Sequence, residues 1–441
     1  VGSTRGSKNP GGSAEGVNDG ATAQASLQLA NGRAGDHVLV HEMLREAGRA
    51  PSFDDFNSWL DDPLYRPADR VVGRDRGRIV AHAHAVLRSG WFGGAKLPAA
   101  GLIDVALLPE YRSTGGGGEL LRSVVDTLRK QGTVLSLVRT DHPAELAEAG
   151  WLPVRWQGCS QAGSHDILSH LIAQQSRPRR RRPLYHVRLW RHVELDGLMP
   201  IYRGQARRDW GGVDRSEAYW QWLLGRKAHD AILVATERKR ARRGDEPIVG
   251  YAVTRGPRIL EWYHSPGCEL AGPLLLARAC RDAVEQGHHT VTLHTAASDP
   301  LHELLITAGG RWLSNCREMG GSLMTRLLKP SDWVPAMYTH HHERARRADV
   351  ALPWELGFVV DDDYYRYRLT KRSTRLELDR SAPADVRCSS AGFSALLLGL
   401  AKASCLRTQG ELTASETTTE MLDAVFPTLL MWQSPFDTLR Y

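Results

Sequence analysis

Four consecutive glycines, Gly115 to Gly118, follow Arg112 by three residues and run directly into a stretch with apolar residues at helical spacing. With no Cβ atoms in the way, several backbone N–H groups can converge on one anion. A helix that starts there adds its unpaired amino-terminal donors and the positive end of its dipole. Arg112 supplies a permanent charge and a fork of donors beside the turn. A pyrophosphate suits such a cradle. A Walker-type loop is excluded, because no Lys followed by Ser or Thr closes the run, and the dinucleotide fingerprint lacks its acidic residue after a second strand. A merely flexible connection would need neither Pro109 nor Arg112 at fixed distances after an apolar strand.

The elements that must hold this turn are legible on both sides of it. Residues 78–87 alternate, with Ile79, Ala81, Ala83 and Ala85 against Val80, His82, His84 and Val86, and predict a strand. Residues 102–108 predict a second. In 119–131, Leu121, Val124, Val125 and Leu128 mark one helix face and Gly132 is placed to stop it. A buried strand at 133–138 and a short helix at 144–149 follow, ending at Gly150 and Trp151. The same order returns with a strand at 258–263, a helix face of Leu276, Cys280, Ala283 and Val284 stopped by Gly287, a strand at 290–293 and a helix at 301–307. This reads as an internal duplication of one α/β module. From about residue 330, strands at 354–360 and 364–369 pair across Asp361, Asp362 and Asp363, and helices follow at 394–403 and 418–425.

The run Pro109, Arg112, Gly115, Gly117 resembles the acyl-CoA pyrophosphate signature of the GNAT superfamily. The wider layout is similar to the enhanced intracellular survival (Eis) family of acetyltransferases. The resemblance implies an α/β (α+β) chain of tandem GNAT-like modules with mixed central sheets, followed by a sterol-carrier-like α+β domain. The expected division is a disordered tail at 1–26, a GNAT domain with the acetyl-CoA site at 27–176, a second GNAT-like domain without the CoA motif at 177–330, and the sterol-carrier-like domain at 331–441. In the second copy the equivalent turn, from Ser265 to Pro273, carries no Arg, so one acetyl-CoA per chain is expected.

The resemblance also assigns roles. Val105, Ala106 and Leu107 would pair with the pantetheine arm. Arg112, Ser113, Thr114, Gly115, Gly116, Gly117 and Gly118 would hold the pyrophosphate, and Thr140 and Asp141 would line the site. The family's acid falls on Trp151, whose indole N–H can donate a hydrogen bond but no proton near neutral pH. The family's base is the terminal carboxylate, here that of Tyr441; Asp104, Asp141 and His142 are other base candidates. The implied acyl donor is acetyl-CoA, and the acceptor is an amine of a small molecule or a lysine side chain.

Composition bounds these readings. A chain of 441 residues holds two to four domains at about 100 to 200 residues each. Its 42% hydrophobic and 24% charged residues are ordinary for folded proteins. No run approaches the roughly 18 apolar residues of a membrane helix. Six cysteines without paired spacing favour neither a zinc ribbon nor a disulfide framework and suit a cytoplasmic protein. Much of the net charge of +7 lies in Arg177, Arg179, Arg180, Arg181 and Arg182, which read as a solvated linker rather than a nucleic-acid patch. His82 and His84 share a strand face but lack a third ligand, so no metal is expected. His340, His341 and His342 read as a solvated helix end, and Trp190, Trp210, Trp220 and Trp222 as packing residues. No membrane partner is expected, and homo-oligomerisation is left open. Two other readings stand beside the main one: a Fem-like aminoacyl transferase using charged tRNA, and a non-catalytic CoA- or lipid-binding protein.

Overall fold

The computed structural model describes residues 27–112, 115–175, 184–237, 246–314 and 321–438. The tail at 1–26, the arginine run at 177–182, Ser113, Thr114 and Tyr441 lie outside them. Among the described residues the chain forms three sheets. The first opens with β1 (Gln28–Asn31), β2 (Arg70–Asp75), β3 (Arg78–Phe92) and β4 (Ala95–Leu107), each antiparallel to the one before. The helix Gly116–Lys130 then carries the chain across to β5 (Leu135–Thr140), which lies parallel to β4. Its Leu120, Leu121, Val124, Val125 and Leu128 are buried against Ala81, Ala83, Leu102 and Val138. Helical spacing puts those side chains on one face. The helix begins three residues earlier than expected, so Gly116 to Gly118 form its first turn. Gly115, at φ +81, takes the left-handed cap conformation that a Cβ disfavours.

The second sheet repeats this plan. Strands Ile248–Arg255 and Arg258–His264 form a hairpin, and the helix Ala271–Glu285 returns the chain to Thr290–Leu293, parallel to its predecessor. The duplication therefore holds at the level of topology. The division near residue 176 is not that of the sheets, because the two modules exchange a strand. Gly158–Gly163 lies in the second sheet between Thr290–Leu293 and Arg311–Ser314, while Ser322–Leu327 lies in the first, antiparallel to β5. Gly158 shows why the exchange is specific: a Cβ there would stand 2.6 Å from the Trp312 ring. Such a fit between residues far apart in sequence has no local periodicity to announce it.

The third sheet is built from Trp354–Val360, Asp363–Leu369, Thr374–Leu378, Val386–Cys388 and Leu412–Ala414. Its interior is filled by aromatic pairs such as Phe358 with Phe393 and Tyr367 with Phe426. The helix expected at 394–403 is instead Ser390–Leu397, started by the Ser389 hydroxyl accepting from the Gly392 amide. Gly399, at φ +63, then turns the chain. The His340 to His342 run is not a solvated end throughout. His341 is buried against Tyr367 and Phe426, and burial pushes its imidazole down to about 3. His340 lies 2.5 Å from the Gly93 carbonyl, which ties this region to the β3–β4 hairpin. The C-terminal stretch crosses back to the modules: Trp432 donates its amide to the Trp210 carbonyl at 2.7 Å, and Gln157 donates to the Met431 carbonyl at 2.7 Å.

Candidate functional site

Strands β4 and β5 are paired only from Ala99 with Leu135 to Leu102 with Val138. Beyond those residues they diverge. A bulge helps to part them: the β3–β4 register shifts between His82 and His84, and Asp104 sits at φ +52. The His82 Nδ1–H donates to the Asp104 carbonyl at 2.8 Å, which fixes the bulge. The opening leads into a cavity of about 580 Å³. Leu102, Asp104, Val105, Val138, Thr140 and Asp141 line its near side, and the helix Pro143–Glu148 presents Glu145 and Leu146.

The far wall comes from other parts of the chain. Trp59 and Arg88 belong to the first module, Val213 and Tyr219 to the second, and Gln433 and Asp437 to the C-terminal segment. Burial pulls the Arg88 guanidinium down, but Tyr219 and Asp62 outweigh it and hold the group above its ordinary value. Arg88 is ion-paired with Asp62 and lies 4.7 Å from the centre of the Tyr219 ring. Asp437 accepts from Arg215 Nε at 2.9 Å and Nη2 at 2.8 Å, while the same guanidinium holds Glu261 at 2.9 and 2.6 Å. Burial raises the Asp437 carboxyl above its ordinary range, and Arg215 offsets part of that. Tyr219 donates to Asp437 at 3.3 Å, and burial pushes its phenol up to about 12.

At the other end of the notch stands the glycine turn. The helix Gly116–Lys130 starts at this turn, with Gly116 buried and the Gly118 and Glu119 amides donating to the Gly115 carbonyl, and the short helix Pro109–Arg112 is anchored beside it by Tyr111, whose hydroxyl donates to Asp75 at 2.7 Å. Neither Gly115 nor Gly117 has a neighbour within 4 Å of where a Cβ would lie. Among the described residues, Gly115 and Gly117 are therefore unhindered on that side.

A model of the acetyltransferase (GNAT) domain matches residues 42–151, and a model of the sterol carrier protein domain matches residues 344–433. No curated protein matches the sequence. Among solved structures, a GCN5-related N-acetyltransferase from Anabaena variabilis is similar over 92% of this chain and 99% of its own, at 16% identity and a TM-score of 0.70. One from Kribbella flavida covers 93% and 99%, at 16% identity and a TM-score of 0.70. Eis1 from Mycobacterium abscessus covers 92% and 99%, at 14% identity and a TM-score of 0.63. The chain has a GNAT-superfamily acetyltransferase fold with an added sterol-carrier-like domain.

Within this GNAT fold the expected residues divide. Asp104, Val105, Thr140 and Asp141 meet at the cavity. Ala106 and Leu107 are buried in the cores behind it. Arg112 is exposed on the short helix, and Gly115 to Gly118 head the long one. Trp151 stands at the position matched to the family's acid. It is fully buried among Leu146, Val138 and Met324, with the Arg326 guanidinium 5.0 Å from its ring, and is no part of the cavity wall. The chain leaves the helix Pro143–Glu148 through Gly150, at φ +83, and turns the indole inward; Glu145 and Leu146 are the residues that reach the cavity from that element. Sequence reading missed Arg139, Tyr219 and Asp437. Arg139 had a signal, a charge following the buried Leu135, Leu137 and Val138 of one strand. The other two had none. Among the described residues no group of three or more His, Cys, Asp or Glu could hold a metal, and no helix is long and apolar enough to cross a membrane.

Proposed function

We propose that the protein binds acetyl-CoA along the notch between β4 and β5 and transfers the acetyl group to an amine that enters from the far side of the cavity. One observation carries this reading: the parted strands lie under a glycine-headed helix and open directly into a cavity that the second module and the C-terminal segment close. The amides of Gly116 and Gly117 would receive the pyrophosphate with Arg112 beside them. The backbone at Val105 would face the thioester. The amine must be neutral to attack, and the polar groups on the acceptor side include Asp437 and Tyr219. A small molecule amine or a lysine side chain would serve as acceptor, in the manner of the Eis family.

The test is calorimetry with acetyl-CoA, CoA and tRNA, followed by thiol release over an amine panel. Acetyl-CoA should bind with one site per chain. Arg112→Ala should weaken it about tenfold, the loss of about 1.4 kcal/mol of charge-assisted contact. Unchanged affinity in that variant would remove the basis of the assignment, and tight tRNA binding without acetyl-CoA binding would favour the aminoacyl-transferase reading. The burial of Trp151 favours a second reading, since the residue at the position of the family's acid lies in the core and off the cavity wall. Acetyl-CoA binding with no thiol released by any amine would establish that non-catalytic alternative.

A further inference from the structure

Arg139 is the penultimate residue of β5 and lines the cavity just past the point where β4 and β5 part. Alternation along β5 sets its direction. Val138 packs under the helix Gly116–Lys130, whereas Leu135 and Leu137 belong to the core on the opposite face, and Arg139 shares their parity. The guanidinium therefore lies on the acceptor side of the sheet, away from the glycine turn. Its Nε, Nη1 and Nη2 atoms are all buried and have no hydrogen-bond partner among the described residues. Of the other charges on the cavity wall, Arg88 is held by Asp62 and Asp437 by Arg215, Arg49, Asp141 and Glu145 are exposed to solvent, and Asp104 is buried on β4 at the bulge. A buried cation is ordinarily paired.

Resting on the acetyl-transfer reading, we propose that Arg139 recognises a carboxylate on the acceptor, so that the preferred substrates are small amines that also carry a carboxylic acid. A planar guanidinium matches a carboxylate with two parallel hydrogen bonds, which gives direction as well as attraction. Burial strengthens the selection, because an uncharged acceptor would leave the cation unmatched in a site of low polarity. Burial pulls the group down to about 10, which still leaves it charged near neutral pH. Its charge also reaches the second module, where it contributes to keeping buried His294 neutral. Polyamines without an acid should be poor acceptors.

The test compares matched acceptors. Full-length protein is titrated calorimetrically, without acetyl-CoA, with 4-aminobutyrate, lysine, glutamate and glycylglycine, each beside its carboxamide, and with spermidine. Acids should bind about tenfold more tightly than their carboxamides. In Arg139→Gln the two should agree within about twofold, and Arg139→Lys should restore part of the preference. Arg139→Met, of similar length, serves if the Gln variant fails to fold. Carboxamides or spermidine binding as well as the acids to the wild type would overturn the proposal, as would an acid preference that survives in Arg139→Gln. Because acid and carboxamide are compared by binding alone, failure of acetyl-CoA to bind would sink the transfer reading without deciding this one.

Discussion

Beside Val105 the first copy of the module keeps its parallel strands apart and opens into a cavity, whereas the second copy closes the corresponding notch with Trp262. The Trp262 ring packs on the start of its helix so closely that a Cβ at Gly272 would stand 2.7 Å away, and its Nε1–H donates to Asp299 at 3.0 Å. The helix heads differ as well. Gly115 caps the first in the left-handed conformation, while Leu270 begins the second in ordinary helical geometry and no arginine precedes it. Two modules with the same strand and helix order thus differ in the few side chains that decide between a slot and a core. The filled copy contributes differently: its Arg215, braced by Glu261, and its Tyr219 hold Asp437 at the cavity of the open one. Duplication here has left one copy open and made the other part of its wall.

The largest effect should come from emptying the filled notch. Trp262→Ala removes a buried indole and its hydrogen bond, and should lower stability by about 3–5 kcal/mol in a denaturant titration. Acetyl-CoA stoichiometry should stay at one per chain, because the second helix head still lacks both the glycine run and the arginine. Two sites per chain would break the comparison, since the indole alone would then have been the block.

A smaller effect is expected from closing the open copy. Gly117→Leu meets no neighbour in the fold, so the melting temperature should hold while acetyl-CoA affinity falls about a hundredfold, or about 2.7 kcal/mol. Gly272→Ala should do the reverse, costing about 1–3 kcal/mol of stability by overpacking against Trp262 with acetyl-CoA binding untouched. Equal affinity in Gly117→Leu would mean that the two helix heads are equivalent after all.

The third contrast is in acid sensitivity. The last parallel strand of the second copy runs into His294, whose buried imidazole is pushed from 6.5 down to about 3, first by burial and then by Arg258 and Arg139. Above the ordinary value both folded and unfolded states carry it neutral. Below that value the unfolded chain takes up a proton that the folded chain refuses, so stability falls as pH drops from about 6.5 toward 3. By pH 5 the loss should reach about 2 kcal/mol. Urea titrations at pH 7 and pH 5 should show a smaller difference in His294→Gln than in the wild type; His341, which is shifted in the same sense, supplies a remainder. An unchanged difference would show that the filled copy does not carry this acid sensitivity.

The local parts of the molecule were legible in the sequence. Thr290–Leu293 and Trp354–Val360 have the expected bounds, and the apolar face of the helix Gly116–Lys130 is the expected one. Those features depend on period, capping and glycine φ, which act within a few residues. The residues proposed for the anion cradle could be named for the same reason, since one short stretch carries the glycines, the helix and the arginine. The strand exchange, the burial of Trp151 and the far wall of the cavity were decided by tertiary structure alone. Gly150 shows the limit: the glycine is visible in the sequence, but the direction in which its turn sends the next side chain depends on the core waiting for it. Asp437 reaches the cavity through an arginine 222 residues earlier in the chain. A contact of that span leaves no repeat in the sequence, because its partners are chosen by the packing of whole modules rather than by their neighbours along the backbone.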